Sequence, residues 1–429
     1  MSRKILFLIL LGAVLVNLLG AFGPELGFDA LWYHLTIPKI YLMWAKIDFI
    51  PGGLMYYSAM PRFGEKVYLG SLGWLGEIGP HLINWGAGIG AAILTYKIAR
   101  KVGLSAFYSL LSALVFYATP LVGWQSGSAY VDIIRTFFEA LAFWFFIQKK
   151  PIATGVAVGL AISTKTLGLG SLGILGVLGV MGGMGIRGTL KMLITAIGIS
   201  GPWFWWAYAK TGFPFYPIGA GILDETHRLG GLGGFGMVRG IEGLMQDLTS
   251  PIYLIVLPFI FLVWRKLNKQ VLFYSLLTFI VWWLTPPTGG GRFLLPYLPV
   301  MAVGGAQIMR EMGEMRGIGG IRGLMIGTTI IVAVVSIGYR LAANAKILPY
   351  LAREQTKTEY LCQHLDFSTR VFVDCDGSWA KKVKPEQTVL VKGFHNLYYV
   401  SFPFIHETWY KGEKVDYILD YDEWKKSRP

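Results

Sequence analysis

The sequence predicts a polytopic α-helical membrane protein of about eleven transmembrane helices, followed by a small C-terminal α/β domain. The 429-residue chain is 54% hydrophobic, its mean hydropathy is +0.51, and only 15% of its residues are charged, against about 25% in soluble domains. Its apolar residues form runs long enough to cross a bilayer. Its lysines and arginines form short groups between these runs, so the net charge of +14 indicates membrane orientation and not nucleic-acid binding.

The first apolar run follows Met-Ser-Arg-Lys and ends without a good small-residue cleavage site, so we expect an uncleaved span. A span needs about 20 mostly apolar residues. The predicted spans are 5–22, 80–98, 104–123, 129–147, 151–166, 167–185, 190–209, 251–264, 271–286, 293–309 and 321–342.

The basic residues predict a cytoplasmic N-terminus, because loops on the cytoplasmic side are enriched in lysine and arginine. With Arg3 and Lys4 inside, the spans place one set of later basic residues on the same side: Lys97, Arg100, Lys101, Lys149, Lys150, Arg187, Lys191, Arg265, Lys266, Lys269, Arg310, Arg316 and Arg322. The outer side receives the long loops 23–79 and 211–250 and the tail. We therefore expect a membrane domain over 1–343 and an extracytoplasmic domain over 344–429.

Short apolar stretches in the tail predict four strands, at 370–374, 388–392, 397–400 and 415–419, in a small α/β domain. The tail also holds both cysteines, Cys362 and Cys375. They would pair if that side is oxidising. Two free, partly buried thiols are the alternative, and the sequence slightly favours them.

The first outer loop begins with a stretch, Gly27 to Tyr41, that contains more ionisable side chains than a linker at the membrane interface needs. Aromatic residues such as Tyr33 are typical of the membrane interface. Asp29 and His34 are not explained that way, since acids at a membrane bundle usually have a partner or a function. The alternative is an amphipathic interface helix with a solvated acid.

Three further polar residues fall at outer ends of spans. Asp132 is a second candidate acid, or else the partner of Arg135 one helical turn away. Lys165 either snorkels to the interface or holds an acid or a phosphate oxygen. Arg292 follows a Gly-rich turn and suits phosphate recognition, or else it only marks the start of a span. The sequence does not indicate a role for the polar cluster formed by Asp224, Glu225, His227 and Arg228.

Two acids and two cations on one membrane face predict a particular chemistry. A carboxylate can activate a hydroxyl nucleophile, and cations stabilise a phosphate leaving group as its charge develops. That combination indicates glycosyl transfer from a lipid-phosphate sugar at the outer surface.

Five stretches, in order, resemble the GT-C membrane glycosyltransferases, in the branch that includes the protein O-mannosyltransferases and the aminoarabinose transferases of lipid A. They are Phe28-Asp-Ala-Leu-Trp-Tyr-His-Leu-Thr-Ile-Pro-Lys39, Ala118 to Trp124 with Ala129-Tyr-Val-Asp132, Gly159-Leu-Ala-Ile-Ser-Thr-Lys165, Thr211-Gly-Phe-Pro-Phe-Tyr-Pro217, and Gly291-Arg-Phe-Leu-Leu-Pro-Tyr-Leu-Pro299. Phe213 stands where the family usually has Asn, and no second acid adjoins Asp29. These departures leave the acceptor open.

The resemblance implies inverting transfer of a hexose or pentose from a polyprenyl-phosphate donor to a lipid, glycan or protein acceptor. Asp29 would be the general base, and Asp132 would position substrate or bind a metal. Lys165 and Arg292 would hold the donor phosphate, and His34 would orient the acceptor or serve the helix structurally. Tyr33 and Tyr130 adjoin these residues and complete the predicted substrate-binding set. The resemblance predicts no metal site, although it leaves a divalent metal cofactor open.

Two other classes of protein remain as alternatives. A transporter or lipid flippase would show inverted repeats or paired broken helices, and no convincing repeat is found. An acyl or phosphoethanolamine transferase would need an intramembrane histidine or a metal-bound threonine. His81 lies near the outer end of a span, but no metal cluster accompanies it in the sequence.

Overall fold

The protein is mostly helical in the computed structural model, which describes residues 2–217, 250–285, 287–315 and 319–427. The first helices are α1 (Arg3–Ala21), α2 (Thr36–Trp44), α3 (Phe63–Leu75), α4 (Ile78–Lys101), α5 (Ala106–Tyr117), α6 (Pro120–Gln125), α7 (Asp132–Phe146), α8 (Pro151–Thr164), α9 (Gly168–Leu178) and α10 (Gly185–Thr211). Those that follow are α11 (Pro251–Val256), α12 (Ile260–Val263), α13 (Lys269–Leu284), α14 (Leu298–Glu314), α15 (Gly319–Ala345), α16 (Leu348–Leu351), α17 (Lys357–His364), α18 (Ser378–Lys382) and α19 (Tyr421–Ser427).

Each predicted span contains helix, although some are broken. The run 104–123 divides into α5 and α6 at Pro120, and 251–264 divides into α11 and α12. Among the described helices, α1 and residues 320–345 of α15 are long and apolar enough to cross a membrane by themselves. The number of spans therefore stays a prediction.

Glycines bring two of the helices close together. α8 packs between α7 and α10. A Cβ atom at Gly155 would lie 2.5 Å from the Met192 carbonyl oxygen, and one at Gly159 would lie 3.0 Å from that of Ala196. Small residues thus permit a backbone approach that is typical of helices in lipid, and α8 is held firmly with Lys165 at its C-terminal end.

A small parallel sheet follows the long helices. Its strands are β1 (Val389–Lys392), β2 (Phe404–His406) and β3 (Tyr417–Asp420), in the order β2-β1-β3. The predicted strands at 388–392 and 415–419 are thus present with shifted ends, and β2 was not predicted.

The other two predicted strands were wrong. Residues 370–374 contribute only one isolated bridge, from Val371 to Asn396, and 397–400 forms a turn. For 397–400 the physical reason is that its carbonyl oxygens bond a side chain. Carbonyl oxygens of Leu397 and Tyr398 accept hydrogen bonds from the Lys39 ammonium at 3.4 and 2.7 Å, and the Val400 carbonyl accepts a third.

The preference for free thiols was also wrong. Cys362 and Cys375 form a disulfide, with their Cα atoms 6.0 Å apart. The bridge ties α17 to the segment that precedes α18.

The first outer loop and the C-terminal segment share a hydrophobic core. Tyr33, Ile37 and Tyr41 from the loop pack with Phe372 and Val389 from the C-terminal segment. Lys39 adds its hydrogen bonds to this interface, where burial and, secondarily, the charge of Lys357 lower its pKa to about 7. The loop is therefore fixed against the end of the chain. The predicted polar cluster at 224–228 lies outside the described residues.

Candidate functional site

Asp29 lies where the first outer loop leaves α1 and enters a single π-helical turn, Ala30–His34. The Asp29 amide donates to the Tyr130 hydroxyl at 3.2 Å, and the Tyr33 hydroxyl donates to Asp29 Oδ2 at 3.3 Å. Burial raises the pKa of Tyr33 well above its usual range, so this phenol keeps its proton. The Asp29 side chain is 15% exposed and therefore remains reachable by a substrate.

Arg292 comes from the 3₁₀ turn Pro287–Phe293 and reaches Asp29 directly. Its guanidinium lies 2.5 Å from Asp29 Oδ2 and sits over the Tyr130 ring at 5.2 Å. Burial acts to lower the pKa of Arg292, but the charges of Asp132 and Asp29 outweigh it and raise the pKa. Arg292 therefore stays a cation between both predicted acids.

Asp132 and Lys165 form the second acid–cation pair. Asp132 begins α7, Lys165 ends α8, and Lys165 Nζ lies 2.7 Å from Asp132 Oδ1. The Asp132 side chain is fully buried, whereas that of Lys165 is 19% exposed. The ammonium also faces the Phe293 ring at 5.2 Å. Lys165 thus holds an acid, which was one of the two predictions made for this residue.

Arg135 does not pair with Asp132, so that alternative was wrong. Its Nε donates to Glu139 at 3.2 Å on the same helix, and its Nη2 donates to the Tyr297 hydroxyl at 2.8 Å. Ser171 from α9 donates to Glu139 at 2.6 Å. This buried network ties Tyr297, which follows Arg292 by five residues, to α7 and α9.

His34 faces a residue that the sequence analysis missed. Its Nδ1 lies 2.6 Å from Glu65 Oε1, and both side chains are almost fully buried. The neighbouring Tyr33 ring stacks on Tyr57 at 3.6 Å. The run Arg62-Phe-Gly-Glu65-Lys66, a polar group inside an otherwise apolar loop, was the available signal for Glu65.

The structure thus brings all seven predicted residues into one region. Asp29, Tyr33, Tyr130 and Arg292 are directly linked by the contacts above. Asp132 and Lys165 pair beside Arg292. His34 joins them through its ring, which lies 4.1 Å from the Tyr33 ring and 5.8 Å from that of Tyr130.

Two cavities adjoin this region. A small one of about 40 Å³ extends from Tyr33 and His34 to Lys165. A larger one of about 390 Å³ lies among α11, α12, α13 and α14, and its lining is almost wholly apolar. Leu294 and Leu298 line it, so it begins within a few residues of Arg292.

The stretch Thr211–Pro217 is one of the five that carry the resemblance. Tyr216 packs with Ala59 in a small hydrophobic cluster, against which Phe213 also lies. This stretch therefore contacts the first outer loop.

A metal does not fit the two acids as they stand. Each carboxylate is paired with a cation, and the described part of the chain contains no group of three His, Cys, Asp or Glu side chains that could hold a metal ion. What the arrangement offers is a reachable carboxylate between an arginine and two tyrosines, with a lysine nearby. Such a set can accept a proton and stabilise a developing anion.

Known proteins match the chain in part of its sequence and in its whole fold. Residues 77–215 match the family model described as dolichyl-phosphate-mannose-protein mannosyltransferase, a range that includes Asp132 and Lys165. No curated protein sequence matches.

Two solved structures of ArnT from Cupriavidus metallidurans share the fold at 13% identity. The one bound to undecaprenyl phosphate has a TM-score of 0.69 and the apo one 0.66, and each alignment covers 99% of this chain and 91% of that one. The predicted resemblance is thereby confirmed: this chain has the fold of the GT-C glycosyltransferase ArnT and carries the mannosyltransferase family's sequence pattern over 77–215.

Proposed function

We propose that the protein transfers a sugar from a polyprenyl-phosphate donor to an acceptor at the non-cytoplasmic face of the membrane, with inversion at the anomeric carbon. The observation that carries the proposal is the pairing of Asp29 with Arg292 at 2.5 Å, beside the pairing of Asp132 with Lys165 at 2.7 Å. Four separate elements supply these side chains. The match to a polyprenyl-phosphate-binding fold supports the donor class.

Asp29 is the general base in this proposal. Its carboxylate takes the proton of the acceptor nucleophile, whose oxygen attacks the anomeric carbon while the bond from that carbon to the phosphate oxygen breaks. Attack opposite the leaving group inverts the configuration. Its partial exposure supports this role, because a base must lie within hydrogen-bond reach of the proton it takes.

Arg292 and Lys165 hold the donor phosphate. Both cations are partly exposed, at 22% and 19% of their side chains, and a phosphate suits the fork of an arginine. Contact with the phosphate would draw Arg292 away from Asp29 and leave that carboxylate free to act. Asp132 then positions Lys165.

The apolar cavity accommodates the polyprenyl chain. Because Leu294 and Leu298 line it, a lipid chain lying there would start close to the phosphate held by Arg292. Because the chain would enter from the bilayer, which is as apolar as the cavity, the cavity would hold it through packing contacts and not through removal of its methylene groups from water.

The proposed orientation places 344–429 outside and the N-terminus inside, with a catalytic membrane domain over 1–343. The disulfide supports it, since such bonds persist in oxidising compartments. Alkaline phosphatase fused after Ser427 should be active and fused after Lys150 inactive. The reverse pattern contradicts the orientation.

Turnover by purified protein in nanodiscs tests the function. Polyprenyl-phosphate sugars are supplied with membranes of the source cell as acceptor, and released polyprenyl phosphate is measured by mass spectrometry. Asp29→Asn should reduce release by about 10²–10⁴-fold while donor binding persists. Asp48→Asn is the matched control, because Asp48 is a loop acid paired with Lys46 and Lys210 outside the site.

Near-wild-type release by Asp29→Asn contradicts the role of Asp29. Movement of intact donor across the bilayer without release of polyprenyl phosphate would indicate the transporter alternative.

A further inference from the structure

Glu25 is a buried acid that the proposed mechanism does not use. It lies just after α1 and is 3% exposed. Its Oε1 accepts hydrogen bonds from the amides of Leu26 at 3.0 Å and Gly27 at 2.7 Å. Its Oε2 accepts from the amide of Ala129 at 2.6 Å and from His81 Nε2 at 3.0 Å. One carboxylate therefore joins two parts of the backbone that lie 104 positions apart.

The geometry makes Glu25 and His81 an ion pair. His81 Nδ1 faces the Ala21 carbonyl oxygen at 3.1 Å, and its Nε2 faces the carboxylate. A carbonyl oxygen cannot donate, and the carboxylate already accepts from backbone amides, so both ring nitrogens carry a proton. Burial acts to raise the pKa of Glu25, but the hydrogen bonds from His81 and from the backbone outweigh it and lower the pKa. Glu25 is therefore an anion that can only accept.

The two backbone segments that Glu25 holds lead directly into the site. Gly27 precedes Asp29 by two residues, and Ala129 adjoins Tyr130. The Tyr130 hydroxyl in turn accepts a hydrogen bond from the Asp29 amide at 3.2 Å. The Glu25 carboxylate thus sets the spacing between the proposed base and the tyrosine beside it.

We propose that Glu25 is a positioning residue of the transferase. Its carboxylate fixes Asp29 and Tyr130 relative to each other, so that Asp29 faces the acceptor nucleophile in a reactive geometry. The inference rests on the proposed function and adds a residue to its site. Position matters strongly here, because a displacement of about 1 Å can cost roughly 10²-fold in rate.

Gly27 shows how closely the two groups approach. A Cβ atom at this position would lie 2.5 Å from Tyr130 Cε2 and 2.9 Å from Glu25 Oε1. The glycine therefore lies between the carboxylate and the tyrosine ring with no room for a side chain. An added methyl group would push these groups apart without removing a charge.

Asn84 of α4 supports the second segment together with Glu25. Its Nδ2 donates to the carbonyl oxygens of Ser128 at 2.5 Å and Tyr130 at 2.8 Å. Glu25 binds the amide of Ala129, which lies between them in the chain. Two side chains thus satisfy the backbone of three successive residues between α6 and α7, where no helix or strand does so.

The cluster around Glu25 also contains the charges that balance it. The Tyr399 hydroxyl lies 2.8 Å from the Glu25 carbonyl oxygen and 2.8 Å from Glu77 Oε2. Glu77 Oε1 pairs with Lys357 at 2.7 Å. Two acids therefore face two cations, His81 and Lys357. This balance favours the ionised form of Glu25, on which its acceptance of hydrogen bonds from both segments depends.

Turnover by the full-length chain in nanodiscs tests the inference, with released polyprenyl phosphate as the product measured. A glutamine side chain has one acceptor oxygen and one donor NH₂ group, so it can hold only one of the two segments. Glu25→Gln should therefore lower kcat by roughly 10²-fold. The donor KM should stay close to its wild-type value, because Arg292 and Lys165 are unchanged.

A double variant separates positioning from general damage to the fold. If Glu25 acts through Asp29, Glu25→Gln should cause little further loss of kcat in a protein that already carries Asp29→Asn. Losses that multiply in the double variant would overturn the inference. A raised donor KM with an unchanged kcat in Glu25→Gln would overturn it too.

Gly27→Ala is the second variant should removal of a buried charge prevent folding, and it should also lower kcat at an unchanged donor KM. Gly70→Ala on α3 is its control, since an added Cβ there would meet nothing within 4 Å. Glu311→Gln is the control for the loss of a buried acid. Glu311 is 4% exposed and pairs with Arg310 near the C-terminal end of α14, whereas the site lies at the other end. Both controls should keep the wild-type kcat.

Hydrogen exchange measured by mass spectrometry provides a readout that needs no turnover. In Glu25→Gln the amide of Gly27 or that of Ala129 should exchange about tenfold faster or more, since a hydrogen bond to a charged group is lost. In Glu311→Gln both should exchange as in the wild type. Wild-type exchange at both amides of Glu25→Gln would overturn the inference.

These outcomes are distinct from failure of the proposed function. A folded wild-type protein that releases no polyprenyl phosphate contradicts the proposed function, whatever the exchange rates are. A wild-type protein that turns over, beside a Glu25→Gln variant with equal kcat, contradicts the positioning role alone.

Discussion

Arg292 and Asp29 contact each other across 263 positions of sequence, with 2.5 Å between guanidinium nitrogen and carboxylate oxygen. One comes from the turn before α14 and the other from the entry to the first outer loop. The contact makes these two loops a single site, and it gives the acid a cationic partner that a phosphate can compete for.

Arg292→Lys should raise the donor KM by about tenfold or more with a smaller effect on kcat. The lysine keeps the charge but loses the two-pronged geometry that suits a phosphate. Steady-state kinetics with varied donor measure the change. Arg370→Lys is the control, because Arg370 also lies over a tyrosine ring, at 5.3 Å, but on the exposed C-terminal segment. An unchanged donor KM would remove Arg292 from the phosphate site.

Lys165→Met should destabilise the protein by about 3–5 kcal/mol, because it leaves the fully buried Asp132 without its cation. The double variant Asp132→Asn with Lys165→Met should lose less than Lys165→Met alone. Denaturation in detergent measures both. Lys210→Met breaks the more exposed pair with Asp48 and should cost about 1 kcal/mol or less. Additive losses in the double variant would show that the pair is not coupled.

Lys39 should make stability depend on pH between about 7, its pKa in the folded protein, and the ordinary lysine pKa of 10.5. In this window the unfolded chain binds the proton and the folded chain has released it, so stability rises with pH. Below the window the folded protein carries the full cost of a buried charge. Lys39→Met lacks this contribution.

The difference in melting temperature between wild type and Lys39→Met, measured from pH 6 to pH 10, should therefore move in favour of the wild type as pH rises. A difference that stays constant, or that falls, would mean that the three carbonyl oxygens keep the ammonium charged throughout.

Replacing both cysteines with serine should lower stability by about 2–4 kcal/mol, given the 13-residue separation of Cys362 and Cys375 and the loop entropy released in the unfolded chain. Donor affinity should not change, because neither cysteine lines either cavity. Thermal denaturation with and without reductant provides the comparison. A reductant effect of equal size on the serine variant would show that the disulfide is not its source.

Hydrophobic patterning predicted the helical character and the order of the helices, because backbone groups in lipid must be satisfied within the helix itself. Side-chain chemistry at the outer ends of spans was enough to select Asp29, Asp132, Lys165 and Arg292. These residues are conspicuous since charges are rare beside apolar runs.

Partnerships across the chain could not be predicted in the same way. Nothing near Asp132 in the sequence distinguishes Lys165 from Arg135 as its partner, and only the packing of α8 against α7 decides it. Glu65 was missed because its role depends on His34, which lies 31 positions earlier. Residues 397–400 have the residue pattern of a strand, but their carbonyl groups accept hydrogen bonds from Lys39 instead.

The distance along the chain between Asp29 and Arg292 also determines how far apart in time the ribosome adds these two residues. A ribosome adds about 5–20 residues per second, so Arg292 is made roughly 13–50 s after Asp29, given their separation of 263 positions. The C-terminal segment that receives Lys39 follows later still. A nascent chain interrupted between Asp29 and Arg292 would carry the acid but not the cation, and under the proposed function it would be inactive until synthesis has passed Arg292.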